Sequence, residues 1–135
     1  MNRTLAQKWL KQAIHDLEMA GRSIDIEGYD VAAFLAHQSV EKLLKALFAV
    51  AGRDIPRTHY IDELADQLGV PEEVKFHVQG LLADYMVARY PDVSDTVPYE
   101  QYTVAIAREK VGAATQVFEL LKSRYAETLG GDRDG

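Results

Sequence analysis

The run Ala36-His37-Gln38-Ser39-Val40-Glu41-Lys42-Leu43-Leu44-Lys45-Ala46-Leu47 decides the fold. Wound at 3.6 residues per turn, it is apolar around most of its circumference and keeps a narrow polar strip of Gln38, Glu41, Lys42 and Lys45. A helix covered by apolar side chains almost all round belongs at the centre of a bundle, where neighbouring helices keep water off every face. The strip is then either the mouth of a site or a contact between subunits. Glu41 and Lys45 have the four-residue spacing of an intrahelical ion pair, worth about 0.3–0.5 kcal/mol when exposed. Here Phe34, Leu35, Val40 and Leu44 frame the pair instead of a polar face. His37 falls on the apolar side near Leu44 and Phe48, as a core histidine hydrogen-bonded to a neighbouring helix or else as a catalytic one.

Working outward, a first helix is expected from Leu5 to Ile24, opened by a capping box of Thr4 and Gln7. Leu5, Trp9, Ala13, Leu17, Ala20 and Ile24 recur every three or four residues and form its buried stripe, while Lys8, Lys11, Gln12, His15 and Glu18 face water. Gly28-Tyr29-Asp30 turns the chain into the second helix, Asp30 to Val50, which Gly52 terminates. Thr58 caps a short third helix from His59 to Leu68, stopped by Gly69. Pro71-Glu72-Glu73 opens a fourth helix reaching Val87, because proline fits a first turn and acids complement the helix dipole. Arg89 to Asp95 reads as a loop broken by Pro91. Thr96 and Pro98 start a last helix to Thr128 with the stripe Tyr102, Ile106, Ala113, Val117, Phe118, Leu121 and Tyr125. The expected fold is all-α: an antiparallel up-and-down helical bundle of four long helices and one short one. Residues 1–129 form its single domain and residues 130–135 a disordered tail.

The 135 residues suffice for a core without staples, and the absence of cysteine excludes disulfides and thiolate metal sites. With no apolar signal core and no run of ~18 apolar residues, the chain reads as cytoplasmic with no membrane association. A net charge of −6 argues against a general affinity for nucleic-acid backbone, although Lys42, Lys45, Arg53 and Arg57 could still line a local basic pocket.

No histidine has a glutamate three residues before it, so the Glu-x-x-His pairs of a di-iron bundle are missing. Glu73 and His77 share a face, as do His37 and Glu41, but two ligands do not make a coordination shell. Nucleophile elbow, phosphate-cradling glycine loop and dinucleotide fingerprint are also missing. No cofactor or metal is therefore expected. Arg89-Tyr90-Pro91-Asp92 joins a planar cation that can grip phosphate to an aromatic stacking face, or else forms a structural turn with Arg89 paired to Asp92.

The order of these features resembles the HEPN domain. Trp9 comes with Ala13 and Asp16-Leu17. Then follow His37-Gln38 with Glu41-Lys42-Leu43-Leu44-Lys45-Ala46, the Thr58-His59 step with Leu64, and Ala88-Arg89-Tyr90-Pro91-Asp92. The resemblance runs from Lys8 to Tyr125. It implies a helical homodimer that often operates beside a separately encoded minimal nucleotidyltransferase, in arrangements like toxin–antitoxin pairs. It also implies a nucleotide-binding role, and in many members a metal-independent ribonuclease using an arginine followed four to six residues later by a histidine. Here only Arg53 and His59 have that spacing, earlier in the chain than the family places it, and Arg89 has no histidine after it.

The first expectation is thus a homodimeric module binding a nucleotide, a nucleotidyltransferase partner, or both, through Glu41, Lys42, Lys45, Arg89, Tyr90 and Asp92. The second is a metal-independent ribonuclease acting on RNA, either with His59 as acid or base and Arg53 or Arg57 stabilising phosphorane charge, or through Arg89 with Tyr90; otherwise His59 only starts the third helix and hydrogen-bonds back across it. The third is a dimeric scaffold whose strip is only the subunit seam.

Overall fold

Apolar wrapping puts α2 (Tyr29–Val50) at the centre: from Val40 to Ala49 only Lys42 escapes full burial. The computed structural model describes residues 1–82 and 97–130. Around α2 stand α1 (Arg3–Asp25), α3 (Ile61–Leu68), α4 (Glu72–Leu82), α5 (Pro98–Gln101) and α6 (Val104–Leu129), with no strand among the described residues. The core gathers Leu10, Val40, Leu43, Leu44, Phe48, Leu64, Val78, Val117 and Leu121 from five of these helices. Fold class is as the sequence implies: an all-α bundle.

Polar contacts fix the directions. The Gln7 amide donates to the Thr128 carbonyl at 3.1 Å, placing the start of α1 against the end of α6. Lys110 on α6 donates to the Gly80 carbonyl on α4 at 2.6 Å, and Arg124 donates to the carbonyls of Leu68 and Gly69 at 3.0 and 3.2 Å. α1 and α4 therefore run opposite to α6, and α2, folded back on α1, runs with it.

Helix α1 begins earlier than the Thr4–Gln7 spacing suggests. Asn2 is the cap, its side-chain oxygen accepting from the Leu5 amide at 3.0 Å, as asparagine does well at that position. Its buried face is also rotated: Ala6, Leu10, Ala13, Asp16, Ala20 and Ser23 point inward, while Leu5 is exposed and Trp9, Leu17 and Ile24 are half-buried. Alanines on the inward face let α1 approach α2 closely. The two polar residues there are satisfied, Ser23 donating to the Met19 carbonyl and Asp16 accepting from Lys42 and Gln12.

The turn after α1 places Glu27 at φ 61°, a left-handed position that favours glycine, while Gly28 donates its amide to the Ser23 carbonyl at 2.8 Å. A Cβ in that conformation costs on the order of 1 kcal/mol, offset in part by the freedom glycine adds to the unfolded chain. Glu27→Gly is expected to add about 0.5 kcal/mol of stability, read as a slightly higher urea midpoint at unchanged m-value.

The last expected helix is interrupted. Tyr102 leaves α5 in an extended conformation, and Thr103 caps a fresh helix, its hydroxyl accepting from the Ile106 amide at 3.2 Å. The new start resets the phase, so Ala107, Lys110 and Ala114 are buried instead of Ile106 and Ala113, before Val117, Phe118, Leu121 and Tyr125 rejoin the expected stripe. The third helix also starts late, at Ile61, which leaves His59 in the preceding loop. Val87, the Arg89–Asp95 loop, Thr96 and residues 131–135 lie outside the described residues.

Tyr125 donates its hydroxyl to the Phe118 carbonyl at 3.1 Å and meets the Phe118 ring edge-on. Burial, with Glu119 adding to it, pushes its phenol above the usual tyrosine range. A raised folded value means the neutral phenol is favoured in the fold. Its contribution is complete below about pH 10 and is lost as pH rises through the folded value. Tyr125→Phe is expected to lower neutral-pH stability by about 1 kcal/mol and to flatten the alkaline fall in melting temperature.

Candidate functional site

Glu41 is a carboxylate on the most buried helix, and two cations or donors meet one of its oxygens. Oε2 accepts from Lys45 Nζ, one turn along α2, at 3.2 Å and from His59 Nδ1 at 2.8 Å. Glu41 and Lys45 are each 5% exposed, whereas the His59 side chain is 74% exposed. Lys45 Nζ also stands 5.7 Å from the centre of the Trp9 ring on α1, a cation–π distance. The cluster thus runs from an enclosed carboxylate to a histidine open to solvent. The second carboxylate oxygen, Oε1, is enclosed and has no hydrogen-bond partner among the described residues.

The loop that carries His59 is held from both ends. Gly52, at φ 73°, ends α2 in the left-handed conformation its sequence position suggests. Arg53 then lies 4.7 Å over the Phe48 ring and donates to the Gln67 carbonyl at 3.1 Å. Beyond His59, the Thr58 hydroxyl accepts from the Tyr60 amide at 3.1 Å and donates to the Glu63 carboxylate at 3.0 Å. Thr58 therefore shapes the turn before α3 and does not cap a helix beginning at His59.

The expected strip divides. Glu41 and Lys45 face the His59 loop, but Lys42 turns to α1, where it pairs with the buried carboxylate of Asp16. Gln12 donates to the other Asp16 oxygen at 2.9 Å. Arg53 and His59 do not converge either. The Arg53 guanidinium is spent on Phe48 and Gln67, and Phe48 lies two turns of α2 from Glu41, roughly 10 Å along the axis. Arg57 is exposed on the same loop. His37 is 2% exposed, in the core as its apolar surroundings imply. Arg89, Tyr90 and Asp92 lie outside the described residues.

The residue pattern missed the union of Glu41 with His59, eighteen positions apart, and the stacking of Lys45 on Trp9. One signal pointed to both: a carboxylate and an ammonium locked in an apolar frame need partners from another element. Chemically, a carboxylate oxygen can only accept, so Nδ1 of His59 is the donor, and in the neutral ring Nε2 carries the lone pair. An imidazole so held can take a proton, give one in its charged form, or bond a ligand through Nε2.

A separate cleft of about 670 Å³ opens between α4 and α6 beside Phe76, His77, Gly80 and Gly112. None of the Glu41 cluster lines it. Glu73, proposed from spacing to share a face with His77, is exposed, and His77 is half-buried at that cleft. Among the described residues no three His, Asp or Glu side chains gather as metal ligands, and no helix is long and apolar enough to cross a membrane.

The bundle as a whole is similar to known structures. The crystal structure of TT1696 from Thermus thermophilus superposes with a TM-score of 0.83 at 31% identity, covering 92% of this chain and 99% of that one. The crystal structure of an archaeal HEPN homologue superposes with a TM-score of 0.76 at 32% identity, covering 88% and 96%. No curated protein matches the chain. The HEPN domain model matches residues 6–124, nearly the whole described bundle, and the chain therefore belongs to the HEPN domain family.

Proposed function

We propose that the chain is a homodimeric HEPN module that binds a nucleotide, a separately encoded nucleotidyltransferase partner, or both, in a toxin–antitoxin-like pair. The observation that carries this reading is the graded cluster of Glu41, Lys45 and His59, which joins buried charge to an exposed imidazole on a braced loop. Family membership supports the choice of ligand and partner. Lys45 is the inner support of the cluster and His59 its outward face, so ligand contact falls on His59 and the neighbouring Arg57. Arg89, Tyr90 and Asp92 belong to the same proposal from sequence alone.

The test is equilibrium binding of labelled mononucleotides, and of a nucleotidyltransferase encoded beside this gene, with sedimentation across a concentration series. Saturable binding weakened at least tenfold by His59→Ala, about 1.4 kcal/mol or more, is the expected result. Absence of saturable binding to either probe removes the reading.

The Glu41–His59 hydrogen bond favours a second reading, a metal-independent ribonuclease in a cytoplasmic toxin role, since a carboxylate-held histidine suits proton transfer at a ribose hydroxyl. It requires cleavage of single-stranded RNA with a chelator present, 2′,3′-cyclic phosphate ends, and loss of activity in His59→Ala.

A further inference from the structure

We infer that His59 is a nucleophile that accepts a phosphoryl group at Nε2, with Glu41 as its positioning residue. Three observations converge. Nδ1 is 2.8 Å from Glu41 Oε2, so it carries a hydrogen, and in the neutral ring the lone pair is left on Nε2. The side chain is 74% exposed, and Nε2 has no hydrogen-bond partner among the described residues. The orienting carboxylate is 5% exposed and clamped by Lys45, so it keeps its place while the imidazole meets solvent. His15 on α1 is also exposed but has no carboxylate holding one ring nitrogen among the described residues.

The phosphoryl class follows from charge. Arg57, two residues ahead of His59, is exposed and makes no ion pair among the described residues, and its guanidinium can meet phosphoryl oxygens. In the step, the Nε2 lone pair attacks phosphorus of a donor with a good leaving group, an acyl phosphate or a phosphoramidate. The N–P bond forms as the bond to the leaving group breaks, and the leaving group takes the electron pair. Positive charge arising on the ring is met through Nδ1–H by Glu41. Phosphorus keeps its oxidation state, and water later reverses the modification by releasing phosphate.

This goes beyond nucleotide or partner binding and does not depend on it, because the probe contains neither. The full chain is treated with potassium phosphoramidate, adducts are located by mass spectrometry, and the nitrogen is assigned by ³¹P and ¹⁵N NMR. His59 is expected to react at least tenfold faster than His15, at Nε2 alone, with its unmodified ring in the Nδ1–H form. Glu41→Gln should bring the His59 rate down to that of His15, and His59→Gln should remove the fast adduct. Equal rates at the two histidines, an Nδ1 adduct at His59, or an undiminished rate in folded Glu41→Gln would overturn the assignment. Should Glu41→Gln fail to fold, the ratio of the two histidines within the wild-type chain decides alone.

Discussion

Lys45→Met is expected to lower stability by about 3 kcal/mol, a fall in melting temperature on the order of 10 °C for a chain of this size. Methionine matches the lysine stem in volume, so packing against Trp9 is largely kept. What is lost is the ammonium that meets Glu41 Oε2 at 3.2 Å. The Glu41 carboxylate would then stand in the core with His59 as its remaining donor and Oε1 still without one. Removing one member of a buried pair leaves the other's desolvation uncompensated, and that penalty exceeds the value of the same pair at a surface. The double variant Glu41→Leu with Lys45→Met removes both charges and is expected to recover most of the loss. Urea unfolding of the two single variants and the double gives the coupling directly. A Lys45→Met protein melting within 2 °C of wild type, on the order of 0.5 kcal/mol, would contradict the burial argument.

Phe48→Ala is expected to cost about 3–5 kcal/mol, the range for emptying a buried aromatic site. The ring is 1% exposed in the centre of the core, and it also supports the Arg53 guanidinium at 4.7 Å. The variant should therefore do two things at once: lower global stability and loosen the loop between α2 and α3. Arg53→Ala, which keeps the ring, should cost about 1 kcal/mol by comparison. Limited trypsin digestion separates the effects, because cleavage after Arg57 should quicken in both variants while the denaturation midpoint drops steeply only in Phe48→Ala.

Much of the bundle was legible because its strongest signal, the apolar circumference around Leu43 and Leu44, admits one place in a fold. The C-terminal end of α2 followed from glycine chemistry at Gly52, and α3 stopped at Gly69 for the same reason. Where the reading slipped, two local choices competed. Asn2 and Thr4 both cap well, and the sequence does not say which loop conformation reaches the Leu5 amide. The stripe of α1 was drawn through large residues, whereas close helix contact selected Ala6, Ala13 and Ala20. Thr103 looked like an interior helical position, but its hydroxyl captured the Ile106 amide and restarted the helix.

The site was legible in its parts and hidden in its assembly. Glu41, Lys45 and His59 were each identifiable as chemically notable. Placing His59 at a helix start, however, pointed its side chain back across its own helix. Only the delayed start of α3 at Ile61 lets the imidazole reach Glu41. Lys42 shares one polar strip with Lys45 in the sequence, yet Asp16 on a facing helix diverted it, a long-range pairing that periodicity does not encode.

Two guanidinium groups cover the final carbonyls of α3, Arg53 on Gln67 and Arg124 on Leu68 and Gly69. An eight-residue helix has little tendency to persist by itself in water, so its amides would exchange with solvent almost freely if it were only tethered. Roped at its far end to two separate pillars of the bundle, it can unravel only when one of them lets go. Its deuterium uptake should then track that of α2 and α6, and the perch just upstream stays steady for as long as those moorings hold.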